Sequence, residues 1–355
     1  MTTGRSDRRL LVIHAGTHKT ASSYIQSCMA GNRSLLRSSG VLVDYPGLPT
    51  QKHKPLADAL VRRQWDDWQQ FLRNLPKEEP LVLVSAEQFT QIIVRREIHR
   101  PLVELLDAEG FQLAVVVFLR DQADYINSRF VHSVRRFYHS QGFDSYVSDQ
   151  LAERKLIYNY HYLFKDLTTN SSIQAFFLPY GRDLGDPFER LLSCLGIGPP
   201  MQGWRPADPS KANVQPGCRA VWLAQEITKQ LHQLGIDSRS LMNTGDVVRR
   251  IAVNEGWKDD RYCGFSEEPA SAVAAHYARC NQRFARRVWG CEWRQMMPEV
   301  SMRRSVYSPP DPGPEREHLN HLVNLGLRDL ARENIRLRWT LWKRRALSMI
   351  PINGQ

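Results

Sequence analysis

Cysteine is scarce in this chain: six stand among 355 residues, at 28, 194, 218, 263, 280 and 291, with no CxxC pair and no histidine set at zinc spacing. That excludes a disulfide framework and a structural zinc site, and no metal is expected. No uncharged run is long enough to span a bilayer, and the opening MTTGRSDRR is polar, with no apolar segment of the signal-peptide kind. A cytoplasmic protein with reduced thiols is the expectation. Internal repeats and low-complexity tracts are missing too. The net charge is +11, yet basic residues are scattered among acids, and only the terminal helix interleaves a Lys/Arg block with aromatics. A nucleic-acid partner is therefore not expected; a polyanionic ligand, an anionic acceptor or a membrane surface answers the charge instead.

What is present reads as a globular chain with a substantial core, 42% hydrophobic and 24% charged. Apolar, β-branched runs predict strands near 9–14, 41–44, 81–85, 113–119 and 172–178. Between them, helical periodicity covers 21–30, 54–74, 95–109, 121–138 and 155–167. This alternation predicts an α/β fold: a central parallel sheet of about five strands covered on both faces, in three layers. Helices over 218–235, 243–254, 268–290 and 315–345 make the second half α-helical. The simplest division is one α/β domain over 1–300 and a helical extension over 301–355. The Pro- and Gly-rich GPPMQGWRPADP reads as a loop rather than a linker.

Two stretches carry chemistry. In LLVIHAGTHKTASSYIQ, Leu10 to Gln26, an apolar run gives way to a short turn and then to an amphipathic helix. The turn at Ala15 and Gly16 delivers the unpaired N–H groups of a helix start to whatever sits there, and an anion suits them. Lys19 adds a positive charge, and Thr20, Ser22 and Ser23 add hydroxyls. Only Thr17 and His18 separate Gly16 from Lys19, and no second glycine precedes the lysine, so the loop of ordinary nucleotide triphosphatases does not match. In QLAVVVFLRDQADYINSRF, the buried strand 113–119 ends at Arg120, and Ser128 follows two turns into the next helix. In an open α/β sheet, that carboxyl edge is where ligands collect.

Together these stretches resemble the sulfotransferases that use 3′-phosphoadenosine 5′-phosphosulfate (PAPS). Lys19, Thr20, Ala21, Ser22 and Ser23 stand in the frame of their KTGTT-like phosphosulfate loop, with Ala for Gly and Ser for Thr. Arg120 and Ser128 match the Arg and the Ser, eight residues apart, that bind the ribose 3′-phosphate. Softer echoes of the bacterial branch follow in LIYNYHYLFKDL, SIQAFFLPYGRD, DPFERLLSCLGI, KANVQPGCRAVWLAQEI and EEPASAVAAHYARCNQRFARRVWG, so the likeness covers roughly Leu10 to Gly290.

The resemblance implies a P-loop-like fold, PAPS as donor, 3′,5′-ADP as product and a hydroxyl or amine acceptor such as a carbohydrate, lipid or small natural product. It implies cofactor contacts from Gly16, Thr17, His18, Lys19, Thr20, Ala21, Ser22, Ser23, Arg120 and Ser128, and from Lys211 and Asn213 in a segment folding over the nucleotide. Lys19 would neutralise the departing phosphate oxygen. The base is left open between His53 and Glu87, since the superfamily uses either residue type. Tyr180, after the fifth strand, is expected to line the cleft near the adenine. Two other functions remain: an ATP-dependent P-loop phosphotransferase, and a non-catalytic protein that binds an anionic ligand or a membrane surface. The last helix, RDLARENIRLRWTLWKRRALSMI, is basic and amphipathic; it could rest on anionic lipid, pair with a second subunit or pack on its own domain. Neither the acceptor nor the oligomeric state is written in the sequence.

Overall fold

The structure, a computed structural model, describes residues 8–17, 19–43, 53–152, 156–181, 184–198, 203–207, 217–237, 241, 244–298 and 302–348. In chain order, β1 (Arg9–His14) leads to α1 (Ser22–Gly31), α2 (Arg33–Ser38) and β2 (Val41–Leu42). Then come α3 (Lys54–Arg62), α4 (Trp65–Arg73), β3 (Leu81–Ser85), α5 (Phe89–Ile93), α6 (Arg96–Ala108) and β4 (Phe111–Arg120). Beyond β4 lie α7 (Gln122–Arg135), α8 (Phe143–Ala152), α9 (Tyr160–Leu163), α10 (Lys165–Thr169), β5 (Ile173–Tyr180) and α11 (Pro187–Cys194). The rest is helical: α12 (Cys218–Gln233), α13 (Thr244–Asn254), α14 (Glu267–Val288), α15 (Trp293–Met296), α16 (Pro314–Glu333) and α17 (Ile335–Ser348).

The chain divides into two compact units. The first comprises Met1–Gln122, Lys155–Asn213 and Ala275–Val300; the second comprises Ala123–Arg154, Val214–Ala274 and Ser301–Gln355. Residues 301–355 thus fall in one unit with two earlier stretches of the chain.

The first unit is the expected α/β body. Its five strands are all parallel and lie in the order β2-β3-β1-β4-β5. Side chains on successive residues point to opposite faces, so a strand buried on both sides must be apolar throughout. In β4, Leu113, Val115, Val117 and Leu119 enter the core on one face while Ala114, Val116 and Phe118 enter the core on the other. β1 and β3 divide likewise, with Ile13 and Val84 on the first face and Val12 and Leu83 on the second. From β1 the chain turns toward β2 on one side, while β4 leads outward to β5 on the other. The carboxyl ends of β1 and β4 therefore flank the switch point of the sheet.

Several helices break where the periodicity alone predicts continuity. The stretch 54–74 is two helices, because Arg63 turns left-handed (φ 55°) and the Gln64 N–H closes back on the Ala59 carbonyl at 2.9 Å. The stretch 155–167 becomes a short 3₁₀ turn followed by α9 and α10, with the Asn159 side chain accepting from the Tyr162 N–H. Part of GPPMQGWRPADP is docked: Trp204 stacks on Phe188 at 5.0 Å, and Arg205 exchanges two backbone hydrogen bonds with the Asn32 amide.

In the second unit, α12, α13 and α16 pack on one another, and α17 continues from α16 after a break at Asn334. Gly326 lets α16 approach α12 closely: a Cβ there would lie 2.5 Å from Ile227 Cδ1, and that side chain would have to shift. Asn334 makes the break by offering its Oδ1 to the Leu337 N–H at 2.8 Å, the job of a helix N-cap. No helix among the described residues is long and apolar enough to cross a membrane.

Candidate active site

The site grows from the end of β1. The Ala15 N–H still bonds the Val116 carbonyl of β4 at 2.9 Å, and then the chain leaves the sheet. At Gly16 the loop passes close to α1: a Cβ would stand 1.9 Å from Ser22 Oγ and force that hydroxyl to move. Thr17 Oγ1 donates to the Phe118 carbonyl at 2.8 Å, and Thr20 Oγ1 donates to the Thr17 carbonyl. The Thr20 hydroxyl, expected as a ligand donor, instead spends its proton bracing the loop, and the Thr17 hydroxyl braces it too. Lys19 (φ 71°) and Ala21 (φ 61°) both adopt the left-handed region, which costs an L residue roughly 1–2 kcal/mol. Ala21 occupies the place where the resembling motif carries glycine, the residue that takes this conformation without strain.

Ala21 is also the N-cap of α1, and its methyl offers no acceptor to the first-turn N–H groups. Ser22 Oγ is buried beside them with no hydrogen-bond partner among the described residues, while Ser23 is exposed. An uncapped helix start with a spare buried hydroxyl fits a phosphate or sulfate group.

Arg120 ends β4 alongside this loop. Its Nη1 donates to the Lys19 carbonyl at 2.9 Å, its guanidinium lies 5.6 Å from the Tyr180 ring centre, and its own carbonyl accepts from Tyr160 Oη at 2.7 Å. Tyr160 was not marked as a site residue in the sequence. Asp121, buried, pairs with Arg294, and Gln122 exchanges two amide hydrogen bonds with Asn281. The backbone that carries Arg120 is thus held on both sides. Ser128, buried on α7, belongs to the second compact unit. His18, Lys211 and Asn213 lie outside the described residues.

A buried polar cluster joins the ends of β1 and β3. Ser85 Oγ shares a 2.8 Å hydrogen bond with His14 Nδ1 and accepts one of 3.2 Å from Gln26 Nε2. The Ser85 backbone holds His53 at two points: its N–H donates to His53 Nδ1 at 2.8 Å, and its carbonyl accepts from the His53 N–H at 3.0 Å. This geometry overturns His53 as the base. A backbone N–H can only donate, so Nδ1 accepts, the neutral ring carries its proton on Nε2, and neither nitrogen has a lone pair left for a substrate proton. Burial also pushes the His53 pKa down to about 4. His14, fully buried, is likewise lowered to about 4 by burial, against the opposing pull of the Glu87 charge. Glu87 itself is half-buried, immediately after β3, within electrostatic reach of His14.

Both histidines have folded-state pKa values below the ordinary 6.5, so the native state prefers them neutral. Their contribution is complete above the unfolded value and is lost as pH falls from 6.5 toward 4, where the unfolded chain takes up protons first. Urea midpoints are expected to fall across that window and to fall less in a His14→Asn/His53→Asn double variant. An equally steep fall in the variant would assign the pH dependence to other groups.

No protein-family model, curated protein or solved structure matches this chain.

Proposed function

We propose that this chain is a sulfotransferase that moves the sulfuryl group of PAPS to a hydroxyl or amine of an acceptor. One observation carries the reading: Arg120 donates to the Lys19 carbonyl, so the two anion-seeking segments meet at one edge of the parallel sheet, at its switch point. The uncapped start of α1 and the spare Ser22 hydroxyl support a phosphosulfate group there, and Arg120 supports a second anion beside it.

PAPS, when bound, supplies an activated sulfuryl group and departs as 3′,5′-ADP. The first-turn N–H groups of α1 and Ser22 orient the anion. Lys19 supplies positive charge as negative charge gathers on the leaving oxygen, a preorganised field that needs no rearrangement during transfer. Arg120, steadied by Tyr160 and Tyr180, takes the ribose phosphate. Glu87 accepts the acceptor's proton, and His53 positions the end of β3 from which Glu87 extends.

Thermal shift tests this with the whole chain and 3′,5′-ADP, 5′-AMP, ADP and ATP, each with and without magnesium. At ~100-fold excess over its dissociation constant a native-state ligand adds roughly 2.7 kcal/mol. The expected outcome is a clear lead for 3′,5′-ADP, independent of magnesium. A lead for ATP with magnesium would favour phosphoryl transfer, and a flat response to every nucleotide would favour a non-catalytic binding protein.

A further inference from the structure

Two of the exposed aromatic residues of the second unit stand together on its last helix. Trp339 and Trp342 of α17 are 57% and 61% exposed, with their rings edge to face at 5.6 Å. Leu337 on the same helix is fully buried and fixes which side faces inward. At about 100° per residue, positions 339 and 342 lie about 200° and 140° round from position 337, so the two indoles form a ridge on the far side of the helix. Arg336 and Arg338, both exposed, start at about 260° and 100°, one on each flank of that ridge, and the Arg338 guanidinium reaches back to donate to the Ala331 and Arg332 carbonyls. The sequence of α17 also holds Lys343, Arg344 and Arg345, and it contains no acidic residue.

We infer that α17 is an interfacial anchor that lays Trp339 and Trp342 into the headgroup layer of an anionic lipid surface. A water-facing indole pair lacks an energetic reason, whereas indoles prefer the boundary between headgroups and acyl chains. The flanking cations supply the complementary charge, because juxtamembrane Lys and Arg are drawn to anionic lipid. Asn334, in extended backbone (φ −128°, ψ 107°), interrupts the helical path between α16 and α17. Single-stranded nucleic acid is the poorer fit: base stacking needs open ring faces, and the edge-to-face pair covers one of them. This inference does not depend on sulfuryl transfer.

Co-sedimentation of the whole chain with phosphatidylcholine vesicles, with and without phosphatidylserine, tests it. The wild type is expected to pellet with the phosphatidylserine vesicles, less as salt rises, and hardly with pure phosphatidylcholine. A Trp339→Ser/Trp342→Ser pair should lower the partition about tenfold or more, and a Trp339→Phe/Trp342→Phe pair should retain most of it. Arg336→Glu should weaken binding at low salt. Because these side chains face solvent, the thermal midpoint is expected to stay put, which separates lost anchoring from lost folding. Three outcomes would overturn the inference: equal pelleting of wild type and the Ser pair, an oligonucleotide rather than vesicles binding through the two indoles, or a concentration-dependent dimer that the Ser pair abolishes without vesicle binding by the wild type.

Discussion

In the proposed reaction, Lys19→Ala is expected to lower sulfuryl transfer from PAPS by a factor on the order of 10²–10³, about 3 kcal/mol of barrier, the usual loss on removing one preorganised charge-stabilising group. The substitution leaves the loop's own backbone contacts in place. Arg120 bonds the backbone carbonyl of residue 19 and not its side chain, so alanine keeps that contact. The braces from Thr17 to Phe118 and from Thr20 to Thr17 do not involve the ammonium either. Alanine meets the left-handed backbone with about the strain lysine already bears. The variant is expected to lose turnover far more than 3′,5′-ADP affinity. Lys19→Arg should recover only part of the rate, because a planar guanidinium replaces a compact point charge. Turnover of the alanine variant within about twofold of wild type would remove Lys19 from the chemistry.

The parts of this site that were legible in the sequence are those set by local pattern. β4 declared itself because burial on both faces demands an unbroken apolar run, and Arg120 declared itself by ending that run. The turn after β1 was legible through Gly16, where a Cβ would displace the Ser22 hydroxyl. Ala21 could not show its left-handed φ from its identity, since alanine is ordinarily right-handed; only its place in the motif hinted at it. His53 misled for a different reason. Flanked by Lys52 and Lys54 it reads as a surface residue free to titrate, yet two hydrogen bonds to the end of β3 bury it. Such a contact arises from tertiary pairing and leaves no periodic trace. The same holds for Gln26 and His14, whose meeting on Ser85 depends on the β1–β3 register. The helix breaks at Arg63 and Asn334 escaped because the apolar spacing runs through them, while backbone and side-chain hydrogen bonds end the helices.

Trp68→Ala is expected to cost about 3–5 kcal/mol of unfolding free energy, the range for erasing a large aromatic from a packed core. Trp68 is fully buried between the helices that carry His53 to its place. Its ring meets Phe71 and Phe89 edge-on at 5.8 and 6.4 Å, and its Nε1–H donates to the Leu56 carbonyl at 2.9 Å. Leu56 lies in the first turn of α3, directly after His53, so Trp68 ties α4 to the turn that presents the histidine. Emptying this position removes the apolar contacts and the tie together. Trp68→Phe separates the two: it keeps most of the packing and drops the N–H donor, so the bond's share, about 1 kcal/mol, is expected along with a modest volume loss. Urea unfolding of wild type, Phe and Ala variants should therefore rank in that order, with the largest step between Phe and Ala. If the largest step instead fell between Trp and Phe, the hydrogen bond rather than the ring would be what holds α3 and α4 together.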